Sequence, residues 1–143
     1  MLTYTIDATD VSSPDGAAVQ AGLHAADPPS VPARDYVPLG LVARDAVGGC
    51  IGGLLGATMW GWLTIDALWV AAGARGAGIG GRLLAAAESA ALGRGCAHAR
   101  LDTFDFQARG FYERHGYAVY SQLADFPPGH VQYHLRKALV PDA

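Results

Sequence analysis

Apolar and polar residues alternate over residues 2–9, and strand-like runs follow at 37–44, 50–59, 62–70, 97–104, 117–123 and 130–139. Three stretches instead read as helices. Ser12-Ser13-Pro14-Asp15 offers a polar cap and a proline in the first turn of a helix that runs to about Ala26 and stops at Asp27-Pro28-Pro29. Residues 78–93 bring Leu83, Leu84, Ala87, Ala91 and Leu92 to one expected apolar face. Residues 108–115 form a shorter helix ended by Gly116. Turn residues join the second and third strands at 45–49 and the last two at 127–129. The order is a meander of hairpins, then strand-helix-strand-helix, then a hairpin. That order predicts an α/β (α+β) fold, a mixed sheet flanked by helices.

Composition narrows the classes. The chain has 143 residues, 51% of them hydrophobic and 16% charged, which predicts one ordinary domain spanning residues 1–143. The formal net charge is −3, and no lysine-arginine run is present, so no nucleic-acid partner is expected. Cys50 and Cys96 lack CxxC spacing and read as free thiols of a reducing cytosol. The N-terminus lacks the basic and apolar regions of a signal peptide, which points to a cytoplasmic protein. Residues 46–65 carry no charge and include a GxxxG from Gly52 to Gly56. A membrane helix would need about 20 apolar residues, but repeated glycines interrupt this segment and Met59-Trp60-Gly61-Trp62 reads as a turn between strands. No membrane partner is expected.

The chemistry concentrates between Leu68 and Leu84. An apolar strand enters a glycine-rich turn carrying Arg75, and an alanine-leucine helix follows. Backbone N–H groups at a helix start lack intrahelical partners and sit at the positive end of the dipole. Glycines keep side chains away from an approaching diphosphate, so the segment reads as a site for a phosphate-containing cofactor. Gly76, Gly78 and Gly81 satisfy G-x-G-x-x-G, with Asp102 21 residues beyond Gly81, which is also the dinucleotide fingerprint. Five residues separate Val70 from Gly76, however, and hairpins stand where a Rossmann unit would place parallel strand-helix pairs. An NAD-binding oxidoreductase therefore ranks behind the reading that follows.

Residues 70–80, V-x-x-x-x-R-G-x-G-I-G, resemble the acetyl-CoA motif of the GNAT N-acetyltransferase superfamily. Phe106-Gln107-Ala108-Arg109-Gly110-Phe111-Tyr112-Glu113-Arg114-His115-Gly116-Tyr117 resembles that family's A-x-x-F-Y-x-x-x-G-[FY]. The two motifs stand in the family's order with a helix and a strand between them. The resemblance implies a mostly antiparallel sheet of six to seven strands whose fourth and fifth members splay apart to receive the pantetheine arm of acetyl-CoA. It implies that Leu68, Trp69 and Val70 offer backbone bonds to that arm. It assigns the pyrophosphate to Arg75, Gly76, Ala77, Gly78, Ile79, Gly80 and Gly81, with Gly78 and Gly80 the least replaceable. Where many relatives carry asparagine this chain has Asp105, and Gln107 is the expected substitute.

Acetyl transfer to an amine needs a neutral nucleophile, an oxyanion site, a proton for the leaving thiolate, and proximity. Tyr112 occupies the family's general-acid position. Asp66, nine residues before Arg75, stands where one branch of the family carries a glutamate that helps deprotonate the amine. A backbone N–H of Leu68 or Val70 is the expected oxyanion donor. Trp60, Asp125 and His130 are candidates for the acceptor side. No metal site is expected of His130 and His134. The predicted activity is direct acetyl transfer from acetyl-CoA to a primary amine of a small molecule, or of a protein. A homodimer is compatible with the family. A non-catalytic acyl-CoA sensor or subunit is the alternative from another functional class.

Overall fold

The computed structural model describes residues 1–139, in two compact units that divide between Ala33 and Arg34. The first unit contains helix α1 (Pro14–Ala25), capped as its sequence predicts. Ser13 Oγ accepts a hydrogen bond from Gly16 N at 3.1 Å, and Pro14 occupies the first turn. The strand expected over residues 2–9 does not form. Alternation sorts one segment's residues into two faces, but a strand also needs a partner for its backbone, and these residues pair with no strand among the described residues.

The second unit is a six-stranded sheet with short helices. Its elements are β1 (Val37–Arg44), β2 (Cys50–Met59), β3 (Trp62–Val70), α2 (Ile79–Gly93), β4 (His98–Phe104), α3 (Arg109–Arg114), β5 (Ala118–Ala124) and β6 (Val131–Ala138). A single 3-10 turn, Ala72–Ala74, follows β3. The strand order is β1-β2-β3-β4-β6-β5. Every neighbouring pair is antiparallel except β3 and β4, which are parallel and joined through α2. With no strand at residues 2–9, β3 and β4 are the expected fourth and fifth strands.

Alternate residues of the sheet meet α2 in one core. Leu54, Leu63, Leu84 and Leu135 are fully buried there, with Ile65, Leu83, Ala87, Ala91, Ala99 and Leu101 around them. Leu92, expected on this face, is 43% exposed. At about 100° per residue, Leu92 lies opposite Leu83 on the helix and cannot share its stripe. Arg94, just past α2, donates to the carbonyls of Val37 and Pro38 and to Thr58 Oγ1 at 3.1–3.2 Å, which ties the helix end to β1 and β2. On α2, Glu88 accepts from Tyr117 Oη at 2.9 Å and pairs with Lys137 at 2.7 Å, which ties the helix to the β5–β6 hairpin. The burial of Tyr117 and the adjacent Glu88 carboxylate push its phenol far above the ordinary range.

One irregularity organises the site. On β3, Ile65 pairs with Gly56 and Ala67 with Leu55, so Asp66 is an extra residue without a partner on β2. This bulge reverses the alternation. Leu63 and Ile65 face the core before it, and Leu68 and Val70 are the half-buried residues after it. Gly56 lies opposite, and a Cβ there would collide with the Thr64 carbonyl.

Candidate active site

The β3–β4 ladder runs from Trp62↔His98 to Ile65↔Leu101 and stops. Beyond it β3 continues to Val70 and β4 to Phe104 without pairing to one another. The opening is a cleft of about 670 Å³, floored by Ile65 and Leu101 and walled by Asp66–Val70 on one side and by Asp102, Thr103, residues 106–108, Phe111 and Tyr112 on the other. The β4-facing edge of β3 is free to pair with an extended ligand, as an additional strand would. The splay follows from the bulge, because the extra residue turns β3 away from β4 immediately after the last shared pair.

The glycine turn sits at one end of this cleft. Gly76 and Gly78 have φ of +85° and +77°, a conformation that favours glycine, and Gly78 is the N-cap of α2. No protein atom lies within 4 Å of where a Cβ would stand at either position, so the turn leaves room for a ligand above the first N–H groups of the helix. Gly80 and Gly81 are glycine for a different reason. A Cβ on Gly80 would lie 3.3 Å from the Phe111 ring, and one on Gly81 would lie 2.9 Å from His115 Nε2. Those two positions let α3 pack closely on α2. His115 is half-buried there and donates from Nδ1 to the Phe111 carbonyl at 2.8 Å. Arg75 lines the cleft and donates from Nε to the Val70 carbonyl at 3.3 Å. Ala77 is exposed in the turn, and Ile79 is half-buried at the first turn of α2.

Tyr112 stands across the cleft on α3. It is 8% exposed and packs edge-on against Phe111 and Tyr117. Its hydroxyl has no hydrogen-bond partner among the described residues. No fully buried described side-chain N or O lacks a partner, so this oxygen opens into the cleft that Tyr112 lines. Burial raises its pKa above the ordinary phenol value and holds the group protonated. Asp66, Leu68, Trp69, Val70 and Gln107 also line the cleft, with Asp66 and Trp69 exposed. Gln107 Oε1 accepts from Thr103 Oγ1 at 3.2 Å and from Phe104 N at 3.1 Å, holding the end of β4. Asp105 accepts from His130 Nδ1 at 2.9 Å and from Val131 N at 3.2 Å, so its carboxylate fixes the start of β6.

The remaining predicted residues lie elsewhere. Trp60, in the β2–β3 turn with φ +50°, does not line the cleft and borders a hollow on the sheet. Asp125 has φ +62° and accepts from Gly129 N at 3.0 Å in the β5–β6 turn. His130 stacks edge-on against Phe106, a cleft residue, without lining the cleft itself.

Residues 39–119 match the acetyltransferase (GNAT) domain family. The chain belongs to the GNAT family. It is 46% identical over 112 residues to blasticidin-S acetyltransferase of Streptomyces morookaense, covering 76% of this chain and 82% of that one. A solved acetyltransferase from Agrobacterium tumefaciens superposes with a TM-score of 0.82 at 32% identity, over 94% of this chain and 99% of that chain. An aminoglycoside 6'-N-acetyltransferase solved with coenzyme A shares the fold, with a TM-score of 0.67 at 19% identity over 74% and 75% of the two chains. This GNAT protein is an acetyl-CoA-dependent N-acetyltransferase that transfers the acetyl group to an amine. The NAD and sensor readings are set aside.

Sequence reasoning placed Asp102 in a dinucleotide fingerprint. In this GNAT fold it is an exposed cleft residue at the splay. Thr103, Phe106 and Phe111 complete the walls. The alternation along β4 signals the exposure of Asp102, but the bulge that opens the cleft beside it has no signal within one strand. Among the described residues no helix is long and apolar enough to cross a membrane; the glycine-rich residues of 50–59 form β2. No cluster of three or more metal-ligating side chains is present among them.

Proposed function

We propose that this GNAT protein transfers acetyl directly to a primary amine of a small molecule, within one domain and without an acyl-enzyme. The observation carrying this reading is the unpartnered, protonated Tyr112 hydroxyl facing an open β3 edge across a cleft of about 670 Å³. Acetyl-CoA, when bound, supplies the activated thioester. The edge of Leu68, Trp69 and Val70 pairs with its extended arm. Arg75 and the N–H groups from Gly76 to Gly81 hold its diphosphate, which suits the open space above Gly76 and Gly78. Gln107 steadies the opposite wall.

An alkyl ammonium has a pKa of about 10 and must lose a proton before it attacks. Asp66, exposed at the bulge, takes that proton directly or through a water. The C–N bond forms as the C–S bond breaks. A backbone N–H of Leu68 or Val70 donates to the carbonyl oxygen as charge develops on it. Tyr112 delivers its proton to the departing thiolate. Neither cysteine is needed, because Cys96 is buried in the core and Cys50 does not line the cleft.

The similarity to blasticidin-S acetyltransferase favours a small-molecule acceptor over a protein amine. Thiol release from acetyl-CoA, followed across small amines and peptides, tests the reading. Turnover with small amines is expected, together with a large kcat loss and intact coenzyme A binding in Tyr112→Phe. Full activity of Tyr112→Phe, or turnover with peptides alone, would overturn it.

A further inference from the structure

The sheet face turned away from α2 carries charges that the thioester cleft does not use. On β4, His98, Arg100 and Asp102 are exposed, while Ala99, Leu101 and Thr103 are buried toward the core. The register sets Arg100 between Thr64 on β3 and Arg136 on β6. Two arginines directly opposite on neighbouring strands repel. Neither forms an ion pair among the described residues. Arg100 donates from Nε to Thr64 Oγ1 at 3.1 Å, and Arg136 lies over the Tyr120 ring at 5.4 Å. Together with Trp62 they enclose a hollow of about 360 Å³.

This hollow runs into a second one of about 380 Å³ through their shared Thr64 and Arg100. The second contains Asp66 and Asp102, which are also cleft residues. Neither carboxylate has a hydrogen-bond or ion-pair partner among the described residues. A continuous groove therefore leads from the Tyr112 cleft, past two unpaired carboxylates, to two unpaired guanidinium groups. The Tyr112 side chain, 8% exposed with an unpartnered hydroxyl open to the cleft, independently marks the cleft end of this path as a place for a ligand.

We propose that this groove holds the acceptor and that the acceptor is zwitterionic, with its ammonium between Asp66 and Asp102 and a carboxylate at Arg100 and Arg136. The inference rests on the acetyl-transfer reading and names its substrate class. Arg100 and Asp102 are two residues apart, about 6.5–7 Å along a strand. An α-amino acid carries both charges on one carbon and does not span that distance. An amine separated from its carboxylate by several carbons does, and Trp62 and Tyr120 give its body apolar walls.

The test is calorimetric titration of the coenzyme A-bound protein with three amines of equal chain length: ε-aminocaproate, hexylamine and hexamethylenediamine. The amino acid is expected to bind at least about tenfold more tightly than the other two. Arg136→Gln should abolish that preference, and Asp102→Asn should weaken all three, with coenzyme A affinity retained in both variants as evidence of folding. Tighter binding of the diamine, or a preference that survives Arg136→Gln, would overturn the proposal. So would an Arg136→Gln change in oligomeric state with acceptor affinity unaltered, which would make the arginine row a subunit contact. Thiol release separates the two readings. Tight binding of ε-aminocaproate without thiol release from any amine would refute acetyl transfer and leave the groove assignment standing.

Discussion

The two halves of β3 run on the same strand and do opposite work. From Trp62 to Ile65 it pairs with β2 and β4 and buries Leu63 and Ile65 in the core. From Asp66 to Val70 it keeps only β2, exposes Asp66 and Trp69, and offers an unpaired edge to the cleft. Apolar side-chain chemistry does not separate the halves, since Leu and Trp occur in both, with Ile65 in one and Val70 in the other. A single extra residue does. The comparison teaches that a binding edge can be made from core strands by a bulge, with the paired half anchoring the open half.

The strongest way to break this contrast is to remove the room for the bulge. Gly56→Val places a side chain against the Thr64 carbonyl, which is backbone and cannot rotate away. A loss of about 3 kcal/mol is expected, read by chemical denaturation, and an unchanged midpoint would show that the bulge does not depend on Gly56. Next in size is the chemistry at the open half. Tyr112→Phe should lower kcat about 100-fold, and the wild-type rate should show no alkaline-limb loss from this phenol until the pH exceeds the ordinary phenol range, because burial raises its pKa.

The clamp that holds the closed half to the hairpin gives a smaller effect. Glu88→Ala leaves Tyr117 and Lys137 without their shared partner and should cost about 2 kcal/mol. The same clamp predicts a pH signature. Burial and Glu88 raise the folded-state pKa of Tyr117, so ionisation favours the unfolded chain. Stability from this group is fully present below the unfolded phenol pKa of about 10 and declines as pH rises above it. Thermal melts should show that decline flattened in Tyr117→Phe, and an identical slope would remove Tyr117 from the account. The smallest expected effect is at the turn. Gly78→Ala should cost only about 1 kcal/mol of stability for its positive φ, while acetyl-CoA affinity should fall as well, because the added methyl enters the open space proposed for the diphosphate.

Much of this was legible in the sequence, and the exceptions have physical reasons. The β1–β2 hairpin, β3 and α2 follow from apolar runs broken by glycine and by the aspartate of the 45–49 turn, all of it local. The glycine turn and Tyr112 are legible because each motif lies within one continuous segment. The bulge at Asp66 is a relation between two strands and leaves no trace in either one. Residues 2–9 alternate without a partner, and Leu92 matches a helical count that its angular position contradicts. The groove from Asp102 to Arg136 depends on β6 inserting between β4 and β5, so residues distant in the chain become neighbours. Trp60, a candidate for the acceptor side, borders the hollow on the sheet, while Asp125 and His130, taken from the loop that borders the acceptor site in the resembled family, do not line the cleft.

The slip at Asp66 also leaves a mark that a saturating mutagenesis screen would register. Along β3, tolerance to polar replacement should follow even positions up to Thr64, then jump phase and follow odd positions at Ala67 and Trp69. A rhythm that skips one beat would locate the mouth of the reaction chamber from survival counts alone, before any ligand is soaked or any rate is measured.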